Sequence, residues 1–252
     1  MTGESQQADY GSRARVAIAV PQANPTVEPE TRALLPFDIG VYATRLTHAA
    51  PRVEDRLQHY IRNLPAAIRS FGTLNIRAFG FGCTGSSYLA GRELEDDLTA
   101  AAHREFGMPV VTAAQAIRES LGSLKARRVA LVSPYPAALS EAGYRYWEHA
   151  GIDIVAKLRV DPALHDTHRI YELTNNDALQ ALRNIAAEAA AANADCIVAS
   201  GTGMPSLRAL ATFRAESSIP VLSSNLCLGW ALLRSVAPEL APATATQMRW
   251  QI

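Results

Sequence analysis

Apolar positions in this chain follow two alternating rhythms. Short runs rich in β-branched residues read as buried strands: "RVAIAVP" from Arg15, stopped by Pro21, then "FDIGVYATRL" from Phe37, "IRAFGFG" from Ile76 and "MPVVT" from Met108. Between them the spacing becomes helical. Leu57, Ile61, Leu64 and Ile68 fall on one face between Val53 and Phe71, a second helix is predicted from about Gly91 to Phe106, and a third runs through Leu124. The order then restarts with "RRVALVSPYP", a helix near Glu141 to Ala150, "IDIVAKLRV", an Ala-rich helix from Asp177 to Ala192, "DCIVASG" and "IPVLSS". Strands alternating with helices of this length predict an α/β fold whose parallel sheets are covered on both faces.

The second half repeats the first. "RVAIAVP" matches "RVALVSP", "FGFGCTG" matches "IVASGTG", and "MPVVTAAQAI" matches "IPVLSSNLCL". Self-similarity of this kind predicts two like Rossmann-like lobes about a pseudo-twofold axis. The expected division is a flexible tail over 1–14, a first lobe over 15–113 plus 225–252, and a second lobe over 114–224. Ligands of parallel sheets sit beyond the carboxyl ends of the strands. The turns Gly82-Cys83-Thr84-Gly85 and Ser200-Gly201-Thr202-Gly203 should therefore face each other across one cleft. Taken singly, either turn reads first as a tight structural connection, and it is the matched pair with a cysteine in one copy that points to a site.

Composition narrows the functional classes. The 252 residues carry 24 Lys+Arg against 24 Asp+Glu, so no charge excess points to nucleic acid or an anionic membrane surface. The polar opening "MTGESQQADYGSRAR" and the short apolar run after it do not resemble a signal peptide or a spanning helix. Three widely spaced cysteines make no disulfide framework, and the expectation is a reducing, cytoplasmic setting. His165 and His168 stand three apart without a supporting ligand set, so no metal is expected. Tyr144, Tyr146 and Trp147 suit either a lobe interface or a contact between copies, which leaves a homo-oligomer open.

The glycine turns hold the candidate chemistry. Small residues let backbone N–H groups and hydroxyls converge on carboxylate or enediolate oxygens. A thiol among them supplies a nucleophile as thiolate and an acid as thiol. Cys83 is the candidate, at a possible helix start whose dipole would favour the thiolate. Its bland reading is a small buried hydrophobe, the reading favoured for Cys196 inside its apolar run and for Cys227.

Four motifs in order, "AVPQANPTVEPE", "GCTGSSYLAG", "ALVSPYPAALSEAG" and "ADCIVASGTGMPSL" followed by "PVLSSN", resemble the maleate isomerase and arylmalonate decarboxylase branch of the aspartate/glutamate racemase superfamily. The resemblance spans Arg15 to about Leu233. It implies carbanion chemistry next to a carboxylate of a small carboxylic or dicarboxylic acid, without metal or organic cofactor. It makes Cys83 and Tyr135 the catalytic candidates, with Asn24, Thr84, Gly85, Gly201, Thr202 and Gly203 binding substrate and Ser223, Ser224 and Asn225 at the cleft floor. Several have simpler uses: Asn24 can open a turn before Pro25, and Thr84, Gly85 and Ser223 to Asn225 can serve at helix starts.

This chain also departs from the pattern. Gly201 stands where isomerases and racemases of the group resemble one another in a second cysteine, which disfavours racemisation by two bases. Thr167 stands where the isomerases resemble one another in an asparagine, a departure that weighs against maleate. Three readings remain: a maleate-type cis-trans isomerase using one cysteine, an arylmalonate-type decarboxylase protonated on one face by Cys83, and a non-catalytic protein that binds small acids.

Overall fold

The computed structural model describes residues 9–250. Two four-stranded parallel sheets have the same topology. The first contains β1 (Ala14–Pro21), β2 (Ile39–Leu46), β3 (Ala78–Phe81) and β4 (Val110–Thr112), in the order β2-β1-β3-β4. The second contains β5 (Arg128–Ser133), β6 (Asp153–Arg159), β7 (Cys196–Ala199) and β8 (Val221–Ser223), in the order β6-β5-β7-β8. Of the inner strands, β3 and β7 are buried throughout, and β1 and β5 are buried except at Arg15 and Arg128, as two-sided coverage requires. Val16 pairs with Ala78 in one sheet as Val129 pairs with Cys196 in the other. The internal repeat is thus a repeat of sheet order and register, and the α/β expectation holds.

The helices are α1 (Val27–Leu34), α2 (Val53–Arg62), α3 (Leu64–Arg69), α4 (Thr84–Ala90), α5 (Arg92–Phe106), α6 (Ala113–Leu124), α7 (Ala137–His149), α8 (Asn175–Ala191), α9 (Leu207–Glu216) and α10 (Ser224–Val236). Two expected helices differ from the pattern for local reasons. The run from Val53 to Phe71 splits at Asn63, because Pro65 in the first turn of α3 has no N–H to continue α2. The helix expected from Gly91 is preceded by α4, and Gly91, with φ of 76°, breaks the two apart. α1 and α9, which hydrophobic spacing did not signal, cover the sheets after β1 and β7.

α10 crosses to the first sheet. A Cβ at Gly80 of β3 would stand 3.1 Å from Leu232 and 3.2 Å from Leu228, so the glycine lets the helix lie close on the strand. Residues 1–8 of the expected tail lie outside the described residues. Its last residues are already structural: Arg13 pairs with Asp38 and Glu239, and Ala14 opens β1.

Polar groups tie the lobes together. Glu30 of α1 is buried and accepts from the Ser206 and Leu207 amides at 2.6 and 2.9 Å, from Asn225 Nδ2 at 2.7 Å and from the Ser206 hydroxyl at 3.1 Å. On the other side of the molecule, Tyr88 of α4 shares a 2.6 Å bond with the Ser200 hydroxyl and accepts from Trp147 Nε1 at 3.1 Å. Tyr146 donates to buried Glu95. The aromatic trio of α7 is therefore a lobe contact through Tyr146 and Trp147.

Candidate active site

The two glycine turns meet. β3 ends with the Gly82 amide bonded to Ala19 O at 2.8 Å, and β7 ends with the Ser200 amide bonded to Val132 O at 2.8 Å, so the chain leaves each sheet at the equivalent place. Thr202 Oγ1 then donates to the Gly82 carbonyl at 2.8 Å, joining the turns directly. Beyond the strand ends lies a small pocket lined by residues of both lobes.

Asn24, Cys83, Gly85, Tyr135, Thr202 and Gly203 line this pocket. Thr84 and Gly201 do not reach it. Thr84 Oγ1 instead shares a 2.8 Å bond with the Tyr135 hydroxyl, so it positions the tyrosine from behind. Gly201 has φ of 89°, and a Cβ there would stand 2.4 Å from Pro134 Cγ. The ring of Pro134 fills the volume that a second-lobe cysteine would need.

Two further residues combine a structural and an outward-facing role. Asn24 Oδ1 accepts from the Thr26 amide at 2.9 Å and the Val27 amide at 3.3 Å, opening α1 as a turn-forming Asn does. Its Nδ2 donates to Thr202 Oγ1 at a long 3.3 Å, which leaves a second N–H for the pocket. The Thr202 hydroxyl proton is committed to Gly82. Gly203 is needed for a different reason: a Cβ would stand 2.8 Å from the Tyr171 ring. Its absence lets the 3₁₀ turn over Thr167–Glu172 close on the site.

Cys83 immediately precedes α4 and is 4% exposed. The Ser86 hydroxyl donates to its sulfur at 3.2 Å. Burial raises the thiol above its ordinary range, and the Ser86 hydroxyl with the Ser86 and Gly85 amides offsets only part of this. The helix start does not outweigh burial, which holds the Cys83 thiol above its ordinary range against the thiolate expected from the dipole. Burial is the largest cause lifting the phenols of Tyr60, Tyr135 and Tyr171, and the Cys83 sulfur is the next. All three remain proton-bearing donors around the sulfur.

Tyr60 and Tyr171 were not among the sequence candidates, nor were Arg56, Leu57, Leu139 and Ile170, which also line the pocket. Val53, Arg56, Leu57 and Tyr60 form one face of α2, and their spacing by three and four was the available signal. Ser223, Ser224 and Asn225 lie outside the pocket lining. Ser223 accepts from the Leu226 amide at 3.3 Å as the cap of α10, while Asn225 serves Glu30. Cys196 and Cys227 are fully buried core. His168 lines the mouth, and among the described residues no group of three or more His, Cys, Asp or Glu side chains is arranged for a metal ion. No described helix is long and apolar enough to cross a membrane.

Paired parallel sheets, a cleft between them and one thiol at a glycine turn define a class of two-lobed α/β protein with a cysteine-centred site. Residues 16–249 match the model of the arylmalonate decarboxylase family, and the chain belongs to that family. It is 25% identical over 244 residues to a maleate isomerase of Pseudomonas putida, covering 89% of this chain and 92% of the relative. The maleate isomerase Iso of Pseudomonas putida S16, solved with maleate as a cysteine-to-alanine variant, superposes with a TM-score of 0.80 at 21% identity, covering 94% and 98% of the two chains. A variant of the Nocardia farcinica maleate cis-trans isomerase, solved with a covalently bound succinylcysteine intermediate, gives 0.78 at 24% identity over 88% and 92%.

Proposed function

We propose that this chain is a cofactor-independent cis-trans isomerase of a small dicarboxylate such as maleate, with Cys83 as its nucleophile. The observation that carries the reading is Cys83 in the lining of the inter-lobe pocket beside Tyr60, Tyr135 and Tyr171, whose phenols burial holds above their ordinary range. The likeness to maleate isomerases, one of them trapped as a succinylcysteine, supports the same chemistry. The thiol gives its proton to water, the sulfur bonds to one alkene carbon, and the π pair moves into the carboxylate on the other alkene carbon as an enediolate. The Tyr135 hydroxyl, held by Thr84, and the free N–H of Asn24 would stabilise that charge, with Gly85 and Gly203 lining either wall. The former double bond rotates, the pair returns, the C–S bond breaks, and the sulfur recovers a proton as the trans acid forms. The three unpaired, buried cysteines fit a reducing cytoplasm.

A second reading rests on the resting thiol. Val53, Leu57, Leu139 and Ile170 give the pocket an apolar side. A malonate-like acid could lose CO₂ there, with the Cys83 thiol protonating the enediolate from one face. Incubation with maleate and with phenylmalonate, followed by NMR, decides between them. Fumarate formation that disappears in Cys83→Ser is the expected result. CO₂ release from phenylmalonate, with maleate untouched, would replace the isomerase by the decarboxylase, and turnover of neither would leave a small-acid binding protein.

A further inference from the structure

Among the residues lining the pocket, Arg56 is the lone Arg or Lys. Its Nη1 donates to the carbonyls of Ala50 and Pro51, both at 2.8 Å, which fixes one edge of the guanidinium. The acidic residues beside it in sequence, Glu54 and Asp55, face Arg52 instead, at 3.6 and 4.0 Å. No carboxylate among the described residues lies within ion-pair distance of Arg56, and its remaining N–H groups have no protein acceptor there. The cation is oriented, half-buried and unspent.

Its position relative to the sulfur is also defined. The Arg56 charge acts on the hydroxyls of Tyr60 and Tyr171, the same hydroxyls that feel the Cys83 sulfur. Tyr60 comes from α2 and Tyr171 from the 3₁₀ turn of the other lobe, so hydroxyls from both lobes share the pocket with the nucleophile and the cation. Near the sulfur, Asn24 and Tyr135 offer only neutral donors. A dianion entering such a pocket loses hydration at both ends, and neutral donors compensate a second charge poorly. A guanidinium matches a carboxylate with two parallel bonds.

We propose that Arg56, flanked by Tyr60 and Tyr171, receives the substrate carboxylate remote from the bond being remade, and so selects dicarboxylates over monocarboxylates of equal length. This deepens the reading of the pocket as a carboxylate site and needs no turnover to be tested. Succinate has no double bond for Cys83 to attack, and butyrate is its four-carbon monocarboxylate counterpart. Calorimetric titration should show wild type binding succinate at least about tenfold more tightly than butyrate. Arg56→Gln should lose about tenfold or more for succinate with butyrate unmoved, and Arg56→Lys should recover part of it, since it keeps the charge without the planar fork. With maleate, Arg56→Gln should raise KM while kcat stays within a few-fold. Unchanged succinate binding in Arg56→Gln, or an equal loss for both ligands, would overturn the proposal. Should Arg56→Gln fail to fold for want of a donor to Ala50 and Pro51, Arg56→Lys carries the test alone: weaker succinate binding with butyrate unmoved supports it, and unchanged binding overturns it. Arg56-dependent succinate binding in a protein inert to maleate would sink the isomerase and keep this proposal; maleate turnover indifferent to Arg56 would do the reverse.

Discussion

The sulfur of Cys83 is held between burial, which favours the neutral thiol, and the Ser86 and Gly85 donors, which favour the anion. Burial wins, so the thiolate population grows only at a pH above that of a free cysteine, whose pKa is about 8.5. If the thiolate is the nucleophile, kcat/KM should rise with pH and keep rising beyond that value; a plateau below about 8 would show that substrate or another group activates the sulfur. The same ordering governs alkylation. Burial pushes Cys227 up to about 12 and Cys196 well above its ordinary range, and neither lines the pocket. Iodoacetamide at limiting amounts should therefore mark Cys83 first, yet more slowly than a free thiol at pH 7, as peptide mass mapping would show. Equal rates at all three positions would remove Cys83 from the chemistry. Gly201 makes the complementary case. Restoring a second thiol by Gly201→Cys forces a left-handed backbone at φ of 89° and an overlap with Pro134. The backbone conformation alone should cost about 1–3 kcal/mol, and thermal unfolding should show a lower midpoint without any gain in isomerase or racemase rate. A stable, more active Gly201→Cys would mean that Pro134 yields readily.

At the scale of elements, α1 and α9 are joined through one side chain. Both oxygens of Glu30 accept only from donors, including the first amides of α9, where a carboxylate also suits the helix dipole. Glu30→Gln would turn an NH₂ toward one of those donors and lose charge-assisted bonds worth about 1.5–3 kcal/mol each. A fall in urea midpoint of that order is expected, and an unchanged midpoint would show that water replaces the bonds. Burial lifts the Glu30 carboxyl above its ordinary range, and the Ser206, Leu207 and Asn225 donors offset only part of this. Ionisation against that burial therefore cancels part of what the donors contribute, and net stability declines as pH rises through the lifted value. The sequence signalled neither helix: "VEPETRAL" has Pro29 within its first turn, and the apolar positions of "LRALATFRAE" read only weakly against their charges. By contrast, every strand was legible, because an apolar run between turn residues has few other uses in a chain without a spanning segment.

For the molecule as a whole, duplication was readable and its consequence was geometric. Motif order fixed two sheets of one topology, and turns at equivalent strand ends must face each other once the lobes stack. Cys83 could be singled out because its glycine-turn motif carries the family resemblance and a thiol there can act as nucleophile or acid. The residues that surround it could not. Tyr171 reaches the pocket because Gly203, from a different segment, leaves room for its ring, and Arg56 does so on the α2 face it shares with Leu57 and Tyr60. Thr84 and Gly201 stand beside the key positions in sequence but outside the pocket in space, since adjacent residues at a turn point in different directions. The amino-acid pattern by itself therefore determined the α/β class and the doubled architecture, which follow from local spacing, and its motifs made Cys83 the candidate through their resemblance to a family. Only the tertiary structure decided which donors meet that sulfur, whether it rests as thiol or thiolate, and where the cation stands, because those depend on distances between segments far apart in the chain.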